Sequence, residues 1–161
     1  MLSSLTLPWP EPGLLTFLRR AGNLPRFFWE NDQYPLAFAG FGTAAVLTAS
    51  GPGRFAAIRG GAAALFEGAV HFGADSPAGP RLFGGFSFET VPPGRPLPPG
   101  DIWEPFPEAC FTVPRYLLTR VDGRTWLTVS HVPDPAEPLH ETKNLLHEAI
   151  WDLPTPKELP L

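Results

Sequence analysis

Alternating apolar and polar positions single out Phe111 to Arg120 and Thr125 to His131 as strands, with Val121-Asp122-Gly123-Arg124 between them. An Asp-Gly pair joining two such runs predicts a tight hairpin. Tyr116 and Leu118 alternate with Arg115 and Thr119, and only the apolar Leu117 breaks the period. Phe27 to Glu30 and Leu36 to Ala39 read as two further strands around a turn at Asn31-Asp32-Gln33, and Phe41 to Ala49 continues as a third extended piece. Leu82 to Phe88 is a strongly apolar strand.

Helical spacing appears in three places. Leu14, Leu15, Phe17 and Leu18 predict a short amphipathic helix ended by Gly22. Ser50 is placed to cap a longer one, with Pro52 in the first turn, where a missing N–H costs nothing. Phe55, Ile58, Leu65, Phe66 and Ala69 then share a face, while Gly60-Gly61 weakens the middle. Leu139 to Trp151 carries Thr142, Leu145, Leu146, Ala149 and Ile150 on one stripe. Residues 1–12 are Pro-rich and expected to be poorly ordered; 73–80 and 91–101 read as Gly/Pro loops. Pro154, Pro156 and Pro160 form an extended tail. The pattern amounts to about six strands and two or three helices, mostly antiparallel, an α+β fold. The expected organisation is an N-terminal arm with a short helix over 1–24, a subdomain over 25–151 and a Pro-rich linker over 152–161.

Composition refines this picture. A chain of 161 residues makes one domain with a real core. Its 22 prolines are mixed with 13 phenylalanines and 5 tryptophans. Pro-rich disorder lacks aromatics, so folded segments joined by stiff loops are expected. A net charge of −4 without a basic run excludes the positive footprint that nucleic acid requires. The single Cys110 excludes an internal disulfide and fits a reducing compartment. No apolar run approaches the roughly 20 residues that cross a bilayer. Met1 opens the chain without a signal-peptide pattern, so a native N-terminus and a cytoplasmic protein are expected.

Candidate chemistry is sparse. Gly40-Phe41-Gly42-Thr43-Ala44-Ala45 matches a dinucleotide-binding pattern, but that motif must open a helix, and β-branched Val46 and Thr48 follow. Glycines at a tight strand bend account for it better. Gly84-Gly85 inside an aromatic strand marks either close approach by a substrate or neighbouring backbone, or a bulge. These two are the candidate close-approach positions. His140 and His147 lie two helical turns apart, about 10 Å, too far for a helical metal pair. His71 and His131 read as structural histidines, and Cys110 as a small buried hydrophobe. Asp101, Glu104 and Glu108 read as solvated carboxylates in or beside the proline loop. No catalytic, cofactor-binding or metal-ligating set emerges.

Several longer motifs carry a resemblance. Phe27-Phe28-Trp29-Glu30 with Ala39-Gly40-Phe41-Gly42, the run from Leu47 to Phe55, Arg81 to Phe88, and the Phe111 to Val129 hairpin resemble, in this order, the N-terminal half of isochorismate synthases. These belong to the wider chorismate-utilising family that includes anthranilate synthase component I. The resemblance implies two large, roughly orthogonal antiparallel sheets with helices outside. It also implies conversion of chorismate to isochorismate, in menaquinone or siderophore biosynthesis. That reaction uses Mg²⁺, a general-base lysine and a general-acid glutamate, all from a C-terminal half with no counterpart here. The implied role is structural and not catalytic by itself, with Mg²⁺ expected only in a full-length parent. The expected partners are the missing C-terminal half and, through exposed strands, a second copy. A free-standing binding or regulatory module is the alternative. One departure stands out: anthranilate synthases read Leu-Leu-Glu-Ser where this chain has Phe28-Trp29-Glu30-Asn31, which argues against regulation by tryptophan.

Overall fold

A computed structural model describes residues 1–10, 13–31, 33–73, 75–88 and 107–156. Its elements run β1 (Ser3–Pro8), α1 (Leu14–Leu18), a 3₁₀ turn (Arg19–Ala21), β2 (Arg26–Asn31), β3 (Leu36–Phe41), β4 (Ala45–Ala49), α2 (Arg54–Phe66), β5 (Val70–Gly73), β6 (Phe83–Phe86), β7 (Ala109–Val113), β8 (Tyr116–Val121), β9 (Arg124–His131) and α3 (Leu139–Trp151). The strands form a six-stranded sheet, ordered β2-β3-β8-β9-β1-β5, and a three-stranded sheet, ordered β4-β7-β6. All pairings are antiparallel except β1 with β5. The fold is α+β. The expected proline loop at 91–101 lies outside the described residues.

The predicted hairpin forms between β8 and β9, paired from Tyr116↔Val129 to Val121↔Arg124. Asp122 and Gly123 adopt φ of 49° and 75°, the left-handed pair that a type I′ turn requires. The predicted continuous strand from Phe111 to Arg120 is two strands. Pro114 has no N–H to give a ladder, and the chain passes there from the small sheet to the large one. Phe41 to Ala49 is broken likewise at Gly42, where φ is 66°. The two corners hold each other: the Ala44 N–H donates to Val113 O at 2.8 Å and the Arg115 N–H to Gly42 O at 3.2 Å.

Residues 1–12 are the clearest correction. Ser3–Pro8 is not a loose arm but an inner strand between β9 and β5. Alternation explains its place. Leu5 joins the core, whereas Ser4 Oγ meets His71 Nδ1 at 2.8 Å and the Thr6 and Thr128 hydroxyls meet at 2.9 Å. Proline content misled because Pro8 and Pro10 stand at and beyond the strand end, where proline is tolerated.

The core lies on one face of the large sheet. Leu5, Ala37, Ala39, Phe41, Leu118, Leu127 and Val129 meet Leu14 and Phe17 of α1 and Leu146 and Ala149 of α3. Helix α3 keeps its predicted stripe at Thr142, Leu146 and Ala149, although Leu145 stays exposed. Helix α2 begins at Arg54, after Gly53 rather than a Ser50 cap. It packs on the small sheet, where Ile58 is buried but Phe55 is half exposed.

A polar clamp ties α3 to the large sheet. Glu137, just before the helix, accepts from the Thr142 hydroxyl at 2.7 Å and meets His131 Nε2 of β9 at 3.2 Å. The Thr142 bond, then the His131 contact, hold the Glu137 carboxyl below its ordinary range, although desolvation opposes them. A carboxyl lowered by folding stabilises the fold above the usual glutamate pKa of about 4.3, and that share is lost as pH falls through the folded value. Denaturant midpoints of the wild type should therefore fall more steeply in acid than those of Glu137→Gln. Parallel pH curves would show that the clamp contributes nothing.

Candidate functional site

The candidate site is the face between the two sheets, opposite the helical core. On the large sheet this face carries Phe27, Trp29 and Phe38 at one end. Phe83 of β6 reaches across from the small sheet. Its ring centroid lies 4.2 Å from Phe27 and 5.3 Å from Phe38, and Trp29 lies 5.6 Å from Phe38. The Arg81 guanidinium sits 5.3 Å from the Phe38 ring centre. Local sequence makes this possible, because Phe27 pairs with Gly40 and its ring occupies the space where a Gly40 side chain would stand. A cleft of about 420 Å³ opens beside these rings, with Thr112 and Pro114 in its wall.

Further along the same face the character changes. Ser4, Thr6, Thr119, Thr128 and Ser130 are all at most 2% exposed. Thr6 and Thr128 bond each other and Ser4 bonds His71, while the hydroxyls of Thr119 and Ser130 have no hydrogen-bond partner among the described residues. The sequence held a signal for this band, Ser4 and Thr6 of β1 and Thr128 and Ser130 of β9 at alternate positions, but the expected disorder of residues 1–12 hid the β1 half.

Gly84 and Gly85 lie on β6 with different surroundings. A Cβ on Gly84 would stand 2.0 Å from Cys110 O and 2.6 Å from Phe111 Cα, while one on Gly85 would meet nothing within 4 Å. The close neighbour of Gly84 is the backbone of β7. Behind the small sheet, Phe55, Phe86 and Phe111 stack in sequence at 4.4 and 4.9 Å. The buried Arg54 ties the loops there, donating to Gly51 O at 3.3 Å and Ser87 O at 3.1 Å.

The remaining polar candidates do not converge. Gly40 sits in β3 and no helix follows Gly42, so the dinucleotide pattern is a strand corner. His140 lies exposed and His147 half-buried on α3. His131 belongs to the clamp and His71 to the Ser4 contact. Cys110 is half-buried. Glu108 accepts from the Gly51 N–H at 2.7 Å; Asp101 and Glu104 lie outside the described residues. Among the described residues no three His, Cys, Asp or Glu side chains are grouped to hold a metal ion. The face can bury rings and bond hydroxyls. Among the described residues it holds no paired acid and base. No helix of the described residues is long and apolar enough to cross a membrane.

Two sheets joined by chain corners, helices on the outer faces and an aromatic seam between them define a scaffold of the chorismate-utilising type. The chain belongs to the chorismate binding enzyme family, whose pattern matches residues 1–159. The fold is similar to that of MenF, the menaquinone-specific isochorismate synthase from Escherichia coli, with a TM-score of 0.60 at 16% sequence identity. That likeness covers 99% of this chain and 31% of the other, so the chain spans about a third of that enzyme's length. No curated protein matches.

Proposed function

We propose that this chain is the N-terminal segment of an isochorismate synthase and builds the scaffold against which a catalytic segment closes. The observation that carries this reading is the character of the face between the sheets. It presents rings and hydroxyls where turnover of chorismate would need an acid and a base. The family match along the chain supports the substrate class, and the 31% coverage of the similar synthase supports a missing remainder. In this reading the lysine base, the glutamate acid and the Mg²⁺ ligands come from that remainder, which is the chain's principal partner. A cytoplasmic location belongs to the same proposal, supported by the lone unpaired thiol of Cys110.

The chain incubated with chorismate and Mg²⁺ should yield no isochorismate above the uncatalysed level, as read by chromatography. Isochorismate that disappears when the protein is denatured would overturn the scaffold role. Calorimetric titration of chorismate separates the other reading: a saturable one-site heat would identify a free-standing binding module.

A further inference from the structure

Strand β2 is an open edge of the large sheet, with β3 its only neighbour among the described strands. Natural edges are guarded by proline, charged side chains, bulges or shortness. Of these β2 carries only two charges, Arg26 and Glu30: its six residues, Arg26-Phe27-Phe28-Trp29-Glu30-Asn31, pair with β3 without a bulge. Phe28 and Trp29 are each 43% exposed on opposite faces of it. Leu15, Leu24 and Tyr34 lie exposed around it, Leu15 lining a depression with Phe28 and Glu30.

The direction of the unpaired backbone groups follows from one bond. The Gly42 N–H donates to Pro25 O at 2.9 Å. Bonded pairs alternate along an antiparallel ladder. The N–H and C=O groups of Phe27, Trp29 and Asn31 therefore point into β3, and those of Arg26, Phe28 and Glu30 point outward. We propose that two copies of this chain pair antiparallel through β2, on a two-fold axis at Phe28, merging their large sheets.

The sequence of β2 suits that register and no neighbouring one. With Phe28 opposite Phe28 of the second copy, Arg26 falls opposite Glu30, and Phe27 opposite Trp29. The outward residues then form every bonded pair: Arg26 with Glu30, Phe28 with Phe28, and Glu30 with Arg26. Both charged pairs are opposite in sign and lie on one face with the two Phe28 rings, an arrangement that cross-strand contacts favour. Within its own chain Arg120 bonds Oε1 of Glu30, and a carboxylate has a second oxygen for the incoming Arg26. The other open edges fit less well. β5 and β6 have four residues each, with no charge on β6, and β4 has no charge to set a register. The pairing requires that a catalytic segment closing on the scaffold leave β2 free.

Sedimentation of the 161-residue chain should give a dimer. Arg26→Glu sets like charges opposite each other twice per dimer and should raise its dissociation constant about tenfold or more. Phe28→Pro removes an outward N–H, which an edge strand tolerates, together with a half-exposed ring, so it should give a monomer that still melts cooperatively. Residues of a central bonded pair have Cα atoms about 5.5 Å apart, a spacing that suits a disulfide. In a Cys110→Ser background, Phe28→Cys should therefore oxidise to a covalent dimer, while Phe27→Cys should not. A chain still monomeric at about 100 µM would overturn the proposal. So would a dimer untouched by Arg26→Glu and Phe28→Pro, or equal cross-linking at positions 27 and 28.

Discussion

Gly84→Ala should destabilise the protein by about 3 kcal/mol or more, whereas Gly85→Ala, one residue on, should change stability by less than about 0.5 kcal/mol. The contrast rests on what faces each position. A Cβ on Gly84 would lie 2.0 Å from the Cys110 carbonyl and 2.6 Å from Phe111 Cα, both backbone atoms of the neighbouring strand. No rotamer change moves a strand carbonyl, so β6 must separate from β7 or the peptide must tilt. Among the described strands β6 is held in the small sheet by β7 alone, and it carries Phe83, the ring that bridges to Phe27 and Phe38. Displacing it would cost the seam as well as the ladder. At Gly85 the added methyl meets nothing within 4 Å. In a chain of this size about 3 kcal/mol lowers the melting midpoint by roughly 6–12 °C. Paired thermal melts decide the matter, and equal midpoints for the two variants would mean that β6 adapts freely.

Those two glycines also show where a sequence stops being legible. Gly-Gly within an aromatic strand announced a close approach, but which glycine meets the neighbour depends on which face of β6 each occupies. That is fixed by the register Gly84↔Phe111 and Gly85↔Cys110 with a strand 26 residues away in numbering. Local signals fared best where the cause is local. The Asp122-Gly123 turn and the Leu139–Trp151 stripe need only neighbours in sequence, and both stand where they were expected. Phe41 to Ala49 and Phe111 to Arg120 each read as one extended piece, since an apolar run gives no sign of leaving one sheet for another. Gly42 and Pro114 mark those corners only once the sheets are known. The α+β class was readable from the chain. The hydroxyl band was not, because half of it lies in a strand whose prolines suggested disorder.

That strand gives the other large expected effect. A chain beginning at Gly13 should show no cooperative melt. Removal of residues 1–12 takes β1 from the interior of the large sheet, not from its margin. Leu2 and Leu5 are 0% and 2% exposed, and burying two such side chains is worth roughly 3–6 kcal/mol. The loss of β1 then spreads. β5 has no other neighbour among the described strands, β9 becomes an open edge, and helix α3 loses part of the surface it packs on. Thr128 would keep a buried hydroxyl without its Thr6 partner, and His71 would lose Ser4. Domains of this size are stable by only about 5–15 kcal/mol in total, so these losses together approach the whole. Circular dichroism and dye binding on heating test the expectation. The shortened chain should bind a hydrophobic dye already at room temperature and unfold gradually. A sharp transition within a few degrees of the full chain would show instead that β1 is an addition to a core complete without it.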